Sequence, residues 1–227
     1  MAKNNSITWI ISVLAVVIVA VVLINSGGKV DQPGSNSHNQ VLQEGSEVKT
    51  EDLIDDDVVL GDPAAQVTLV EFGDYQCTFC TKFFKETEPA LISKYVETGQ
   101  LKIVFRDLAI NGRESVNAAY AAQCAREQDK FWEYHDRLFN ERKGYNVGVF
   151  NQDNLERFAA DLGLNVDEFR TCYSSEKTAS EVNKDIRDAQ RFGARGTPTF
   201  ILNGQLVVGA QPLAFWESAI EQLLSVQ

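Results

Sequence analysis

Two cysteines separated by two residues, Cys77 and Cys80, are the side chains of this sequence best suited to carry chemistry. A thiolate is a nucleophile, and a pair with this spacing can pass between a dithiol and a disulfide. The pair lies between residues 67–72, an apolar run that predicts a buried strand, and residues 79–96, where apolar residues recur at helical spacing. Unpaired backbone N–H groups and the helix dipole stabilise a thiolate at a helix N-terminus, so this placement favours redox exchange.

The same spacing also occurs in structural and metal-binding cysteine pairs. Tetrahedral zinc sites usually bring a second closely spaced pair, whereas Cys124 and Cys172 each stand alone. We therefore expect no metal and no cofactor. His38, in a polar segment, and His135, expected to be a partly buried helix residue, leave few candidates for a histidine-assisted nucleophile.

The amino-acid composition limits the kinds of molecule that this protein can be expected to bind. The formal net charge is -11 over 227 residues, and no basic stripe is present. Nucleic acid binding depends on clustered Lys and Arg, so nucleic acid is not an expected partner. The length allows a proper hydrophobic core, and four cysteines are too few for a small protein held together by disulfides.

The N-terminal region predicts a membrane anchor followed by a linker. Residues 7–24 are almost all apolar and long enough to span a bilayer as a helix. A cleaved secretory signal is the alternative, but no convincing small-x-small site follows the run. We assign residues 1–28 to the anchor and residues 29–57, with their acidic second half, to a flexible linker on the extracytoplasmic side.

The remaining residues, 58–227, have the pattern of one α/β domain. Strands are predicted at residues 58–60, 67–72, 101–105, 199–202 and 205–208. Helical spacing follows the Cys pair and then fills residues 115–128, 130–140, 152–162, 166–173, 179–192 and 215–224. Asn203-Gly204 between the last two strands is a strong hairpin signal.

Four features of this domain together resemble the DsbA-type thiol:disulfide oxidoreductases of the bacterial cell envelope. They are the strand-to-helix segment from Glu71 to Cys80, the stretch from Cys124 to Trp132, the sequence Gly196-Thr197-Pro198-Thr199-Phe200, and the Asn203-Gly204 hairpin. The resemblance implies a thioredoxin-like fold with an inserted helical domain at about residues 112–193, here preceded by a transmembrane helix and linker.

The resemblance also implies roles around the dithiol. Cys77 matches the exposed nucleophile, Cys80 matches the buried resolving thiol, and Glu71 matches a buried acid that relays protons to that thiol. A carboxyl among apolar neighbours should have a raised pKa, which agrees with such a role. An acid on a sheet edge or facing solvent is the alternative interpretation of Glu71.

Pro198 matches the family's cis-proline, which lies beside the dithiol; an ordinary trans proline at the start of a strand is the alternative. In the family's arrangement the backbone of Thr197 pairs with an extended substrate peptide, and Thr78 and Phe79 are assigned to substrate contact. Many family members have Pro and His between the two cysteines. Thr78 and Phe79 supply neither a fixed φ nor a positive partner for a thiolate.

The other two cysteines, Cys124 and Cys172, each lie on a predicted helix at a position that faces the interior of the insertion. Some members of the resembled family carry a second disulfide in this region. Two interpretations stay open: a structural disulfide, or two buried free thiols that behave as small apolar residues.

These observations predict a membrane-tethered extracytoplasmic enzyme that oxidises the thiols of reduced exported proteins. By the resemblance, a membrane quinone-linked thiol oxidoreductase would reoxidise it. A disulfide reductase or isomerase of the same fold is the main alternative, and a non-catalytic zinc-binding or peptide-binding module is another.

Overall fold

The computed structural model describes residues 53–54 and 57–226. Within these residues, five strands form one sheet in the order β1-β3-β2-β4-β5. The strands are β1 (Val59–Leu60), β2 (Val67–Gly73), β3 (Leu101–Asp107), β4 (Thr199–Leu202) and β5 (Gln205–Val208). Strand β2 runs parallel to β3, and the other neighbouring strands pair antiparallel.

Strand β2 is buried along its whole length because it lies in the middle of the sheet and is rich in apolar residues. Its register places Glu71 opposite Phe105 of β3 and Phe200 of β4. An acidic side chain therefore lies among aromatic neighbours in the centre of the sheet.

The helix after β2 is shorter than the sequence pattern predicts. Apolar spacing over residues 79–96 predicts one helix, but the structure has α1 (Thr78–Glu86), α2 (Glu88–Leu91) and a π-helical turn (Ile92–Val96). Pro89 explains the break, because it has no backbone N–H and its ring conflicts with the carbonyl one turn earlier.

A group of helices lies between β3 and β4 in the chain, and one helix follows β5. The former are α3 (Arg113–Arg126), α4 (Phe131–Glu141), α5 (Gln152–Asp161), α6 (Val166–Tyr173) and α7 (Glu176–Arg191), and the last is α8 (Leu213–Ser225). The apolar faces of α3 to α6, with Phe105 of β3 and residues of the dithiol region such as Tyr75, form one core cluster. Helix α8 packs in a second cluster through Trp216 and Ile220.

The predicted hairpin between β4 and β5 is present. Both turn residues have positive φ, 43° at Asn203 and 85° at Gly204, as a tight two-residue hairpin turn requires. The Asn203 side chain also accepts a hydrogen bond of 2.7 Å from the backbone N–H of Thr68. The turn thus holds β4 against the central strand.

Arg106 of β3 is a buried cation that the sequence analysis did not single out. Its guanidinium donates to Asp185 and Asp188 of α7 and lies 3.3 Å from Asp57. This group of charges ties the last insertion helix to the sheet. A buried ion pair of this kind depends on having all its partners in place.

The predicted anchor at residues 1–28 and most of the predicted linker at residues 29–57 fall outside the described residues. Among the residues that are described, no helix has both the length and the apolar character needed to cross a bilayer.

Candidate active site

Cys77 and Cys80 lie at the start of α1, the helix that follows β2 in the chain. Cys77 is the N-cap residue of α1, with the extended backbone that a helix start requires, and Cys80 lies inside the first turn. Both are free thiols. The resemblance implied an exposed Cys77, but only 5% of this residue is exposed. It is covered because the loop before β4 lies against its sulfur, with the Thr197 carbonyl oxygen 3.2 Å from the sulfur atom.

The surroundings of the two thiols separate their pKa values. The pKa of Cys77 is lowered to about 6, and the largest cause is a hydrogen bond from the Cys80 side chain. Burial raises this pKa. Hydrogen bonds from the Thr197 side chain and from the backbone N–H groups of Cys80 and Phe79 lower it further. The pKa of Cys80 is raised well above its ordinary value, first by burial and then by the bond to Cys77 and the charge of Glu71. Near neutral pH the site therefore holds a thiolate at Cys77 and a thiol at Cys80.

Glu71 is buried on β2, which excludes the alternative of a solvent-facing acid. Its Oε1 atom has no hydrogen-bond partner among the residues described here. Burial, and then the charges of Glu88 and Cys77, raise the pKa of Glu71 well above its ordinary value. A protonated carboxyl in this position can hold a proton close to the dithiol.

Glu88 is a second buried acid near Glu71, and the sequence analysis did not identify it. Only 4% of this residue, the first of α2, is exposed. Burial, and then the charge of Asp136, raise the pKa of Glu88 to about 8. The only local signal was the Glu-Pro dipeptide, which marks a helix start but does not say which side of the helix faces the core.

The loop before β4 lies directly beside the dithiol. The Thr197–Pro198 peptide bond is cis, and Pro198 is buried. The two residues that separate the cysteines face outward: Thr78 is exposed, and 61% of Phe79 is exposed. The structure thus brings Thr197, Pro198, Thr78 and Phe79 to the same site as Cys77.

The turn before Cys77 is fixed by hydrogen bonds to the helical insertion. The carboxylate of Asp74 accepts from the backbone N–H groups of Gln76, Ile110 and Asn111 and from the hydroxyl of Ser115. The Gln76 side-chain amide in turn donates 2.9 Å to the Ser115 hydroxyl. The contacts to Ile110, Asn111 and Ser115 join residues more than 30 positions apart, so no local sequence pattern indicates them.

His135 is more deeply buried than the sequence analysis expected. It lies on α4 with only 1% of its surface exposed, and its ring packs against six aromatic side chains. Burial is the largest cause that lowers its pKa, so the ring is neutral at neutral pH. These contacts give His135 a packing role in the core beneath the dithiol.

Cys124 and Cys172 form a disulfide that joins α3 to α6. Cys124 is fully buried, and Cys172 is half-buried. The bond closes a loop with a sequence separation of 48 residues within the insertion. It leaves Cys77 and Cys80 as the pair available for exchange.

Comparison with known proteins places these features in a family context. A family model described as Thioredoxin matches residues 54–222. Disulfide bond formation protein D of Bacillus subtilis is 27% identical over 173 residues, which cover 75% of this chain and 78% of that protein. Na(+)/H(+) antiporter NhaA 3 of Salinispora tropica is 33% identical over 158 residues, but the chain spans only 22% of that protein's length.

Two solved structures have the same fold. The crystal structure of oxidised BdbD from Bacillus subtilis matches with a TM-score of 0.70 and 27% identity, over 74% of this chain and 92% of that one. The crystal structure of α-DsbA1 from Wolbachia pipientis matches with a TM-score of 0.70 and 24% identity, over 78% of this chain and 96% of that one.

Proposed function

We propose that this chain, which belongs to the thioredoxin family, is a DsbA-type thiol:disulfide oxidoreductase that oxidises the thiols of exported proteins through Cys77 and Cys80. The geometry of the dithiol carries this proposal: Cys77 is the N-cap residue of α1 beside the Thr197 carbonyl, and Cys80 is buried behind it. In this setting the pKa of Cys77 is lowered to about 6, while that of Cys80 is raised. A stabilised thiolate favours the reduced dithiol, so the corresponding disulfide is a stronger oxidant.

In the first step, a substrate thiolate attacks the Cys77 sulfur of the oxidised pair. A bond forms between the substrate sulfur and Cys77, the Cys77–Cys80 bond breaks, and its electron pair goes to the Cys80 sulfur. Because the pKa of Cys80 is raised, this sulfur takes up a proton. Glu71, protonated in its buried position, is the proposed proton source.

In the second step, another thiolate of the substrate attacks the substrate sulfur of the mixed disulfide. The substrate disulfide forms, and Cys77 leaves as a thiolate, which its low pKa favours. The substrate has then lost two electrons and two protons. The enzyme holds the two electrons in the reduced Cys77/Cys80 pair; one proton restores the Glu71 carboxyl that protonated Cys80, and the other goes to solvent. A membrane quinone-linked thiol oxidoreductase is the proposed acceptor that returns the pair to the disulfide.

The groups around Cys77 support a role in peptide binding. The loop at Thr197 and Pro198 would offer backbone groups to an extended substrate segment, which would pair as an added strand. Thr78 and Phe79, exposed beside the nucleophile, would contact the substrate side chains.

The proposed location is the outer face of the cell membrane. Residues 7–24 would anchor the chain, and residues 29–57 would tether the catalytic domain, residues 58–227. A flexible linker of this length has a root-mean-square reach of about 30 Å, which lets the domain meet both emerging substrates and a membrane partner.

Two substitutions test the exchange mechanism. Cys77→Ser should abolish oxidation of a dithiol peptide, and Cys80→Ser should accumulate mixed disulfides with it. Turnover by Cys77→Ser would refute the proposal. The reduction potential tests the direction: a value near that of thioredoxin, about -270 mV, would favour a reductase, and a value nearer -120 mV, roughly that of DsbA, would favour the oxidase.

A further inference from the structure

A segment of the helical insertion holds both residues that flank Cys77. The Arg142 guanidinium donates 2.6 Å to the backbone carbonyl of Gln76 and 2.8 Å to the hydroxyl of Thr78. These contacts join positions more than 60 residues apart. Arg142 is half-buried, so its charge is less screened by solvent than that of an exposed arginine.

Tyr145 keeps this guanidinium in place. The Arg142 guanidinium carbon lies 5.2 Å from the centre of the Tyr145 ring, a cation–π contact. The Tyr145 hydroxyl lies 3.3 Å from both the backbone nitrogen and the hydroxyl of Thr78, the first residue of α1. The backbone N–H of Asn146 donates to the Gln76 side chain, and the Asn146 side chain donates 3.0 Å to the Asn111 carbonyl. The segment is thus bonded to the turn on both sides of the nucleophile.

The other charged groups near Cys77 are either acids or cations whose side chains are exposed to solvent. Glu71 and Glu88 are acids, and any ionisation of them opposes a thiolate. The raised pKa of Cys80 keeps it a thiol at neutral pH, so it contributes a hydrogen bond rather than a charge. The nearby cations on α1 and on the loop before Thr197 have exposed side chains: Lys82, Lys85 and Arg195.

We propose that Arg142 is the cation that stabilises the Cys77 thiolate and thereby makes the Cys77–Cys80 disulfide more oxidising. This inference rests on the proposed function and extends it to a positioning residue that acts through Gln76 and Thr78. The Cys-Thr-Phe-Cys sequence contains no positive side chain of its own. The insertion supplies the charge from a distant part of the chain, and the same contacts keep Thr78 turned toward Tyr145.

The test measures the thiolate at Cys77 directly, by ultraviolet absorbance of the reduced full-length protein against pH. Two neutral variants, Arg142→Gln and Arg142→Met, remove the charge, and Arg142→Lys keeps it without the paired donors. Lys143→Gln is the matched control, because Lys143 is the exposed cation next in the chain. A second readout is the equilibrium of each protein with glutathione.

The neutral variants should raise the pKa of Cys77 by about 0.5 to 1 and shift the glutathione equilibrium about 3- to 10-fold toward the disulfide. Arg142→Lys should recover at least half of the wild-type behaviour, and Lys143→Gln should match the wild type. Equal titration of the wild type and both neutral variants, or an equal shift in Lys143→Gln, would overturn the inference.

The proposed function fails on a different result. If Cys77 of the wild-type protein titrates like an ordinary thiol, with a pKa of about 8.5, the proposed function fails. If the wild-type pKa is low and the neutral Arg142 variants do not change it, only the role of Arg142 fails.

Discussion

The Thr197 carbonyl oxygen lies 3.2 Å from the Cys77 sulfur, although 120 positions of chain separate the two residues. The Thr197 side chain also forms a hydrogen bond that lowers the pKa of Cys77. Cys77 thus depends on a residue that follows the whole helical insertion.

Replacing Thr197 with Val should raise the pKa of Cys77, because the hydroxyl that stabilises the thiolate is lost. We expect a rise of about 0.5 from the value near 6. The measurement is the rate of alkylation of the reduced protein against pH, which follows the thiolate fraction. Thr197→Ser retains the hydroxyl and should behave like the wild type; an unchanged midpoint in Thr197→Val would contradict the assignment.

Glu88 should make the protein less stable as pH rises. In the unfolded chain this carboxyl ionises near its ordinary pKa of 4.5, whereas in the fold it does so only near 8. Between these values the unfolded state binds fewer protons, so the free energy of unfolding falls as pH rises through this window. In Glu88→Gln, the free energy of unfolding should fall by about 2 to 4 kcal/mol less across this pH window than in the wild type. Urea unfolding at several pH values across the window measures the difference.

Glu86 offers the control for this prediction. It lies two positions earlier in the chain and is exposed, so Glu86→Gln should leave the pH dependence of stability as in the wild type. An equal effect of both substitutions would mean that net charge, rather than the burial of Glu88, causes the change.

The Cys124–Cys172 disulfide should stabilise the insertion without controlling the dithiol. For a sequence separation of 48 residues, the chain-entropy model gives a stabilisation of the folded state of about 4 kcal/mol. We expect the free energy of unfolding of the Cys124→Ala/Cys172→Ala variant to be about 2 to 4 kcal/mol lower than that of the wild type. Urea unfolding measures this loss. The pKa of Cys77 in the same variant serves as the internal control and should not move. A stability within about 0.5 kcal/mol of the wild type would show that the bond contributes little.

Arg106 should be costly to remove because its loss leaves the Asp185 carboxylate buried without its cation. We expect Arg106→Met to lower the free energy of unfolding by about 3 to 5 kcal/mol. Arg187→Met, at an exposed position of α7, should change it by less than about 0.5 kcal/mol. Comparable losses in the two variants would argue against a special role for the buried pair.

The sequence predicted the thioredoxin-like α/β fold with its helical insertion, and the structure and the comparisons confirm that fold. Local pattern was sufficient for the individual strands and helices, and the resemblance to the DsbA-type enzymes implied how they are arranged. The alternation in residues 101–105, the helical spacing of the insertion and the Asn203-Gly204 turn each specify an element without reference to distant residues.

The parts of the site that the sequence did not predict depend on contacts between distant residues. Arg142 meets Gln76 across 66 positions, and no local period of the sequence indicates it. The burial of Glu88 depends on which side of a short helix faces the sheet, and Arg106 acquires its partner 79 positions later, in α7. By contrast, the resemblance implied the role of Glu71, and the position of this acid inside an apolar strand agreed with it.

The groups that lower the pKa of Cys77 come from distant parts of the chain: the start of α1, with Cys80 and Phe79, and the loop at Thr197. The role proposed for Arg142 would add a third part, the helical insertion. A chain made from its N-terminus presents Cys77 before Thr197 exists, so at that stage the thiol lacks the hydrogen bond from Thr197 that lowers its pKa. Cys124 and Cys172 both precede Thr197 in the chain. The nucleophile therefore reaches its full activation only after both cysteines of the structural disulfide have been made.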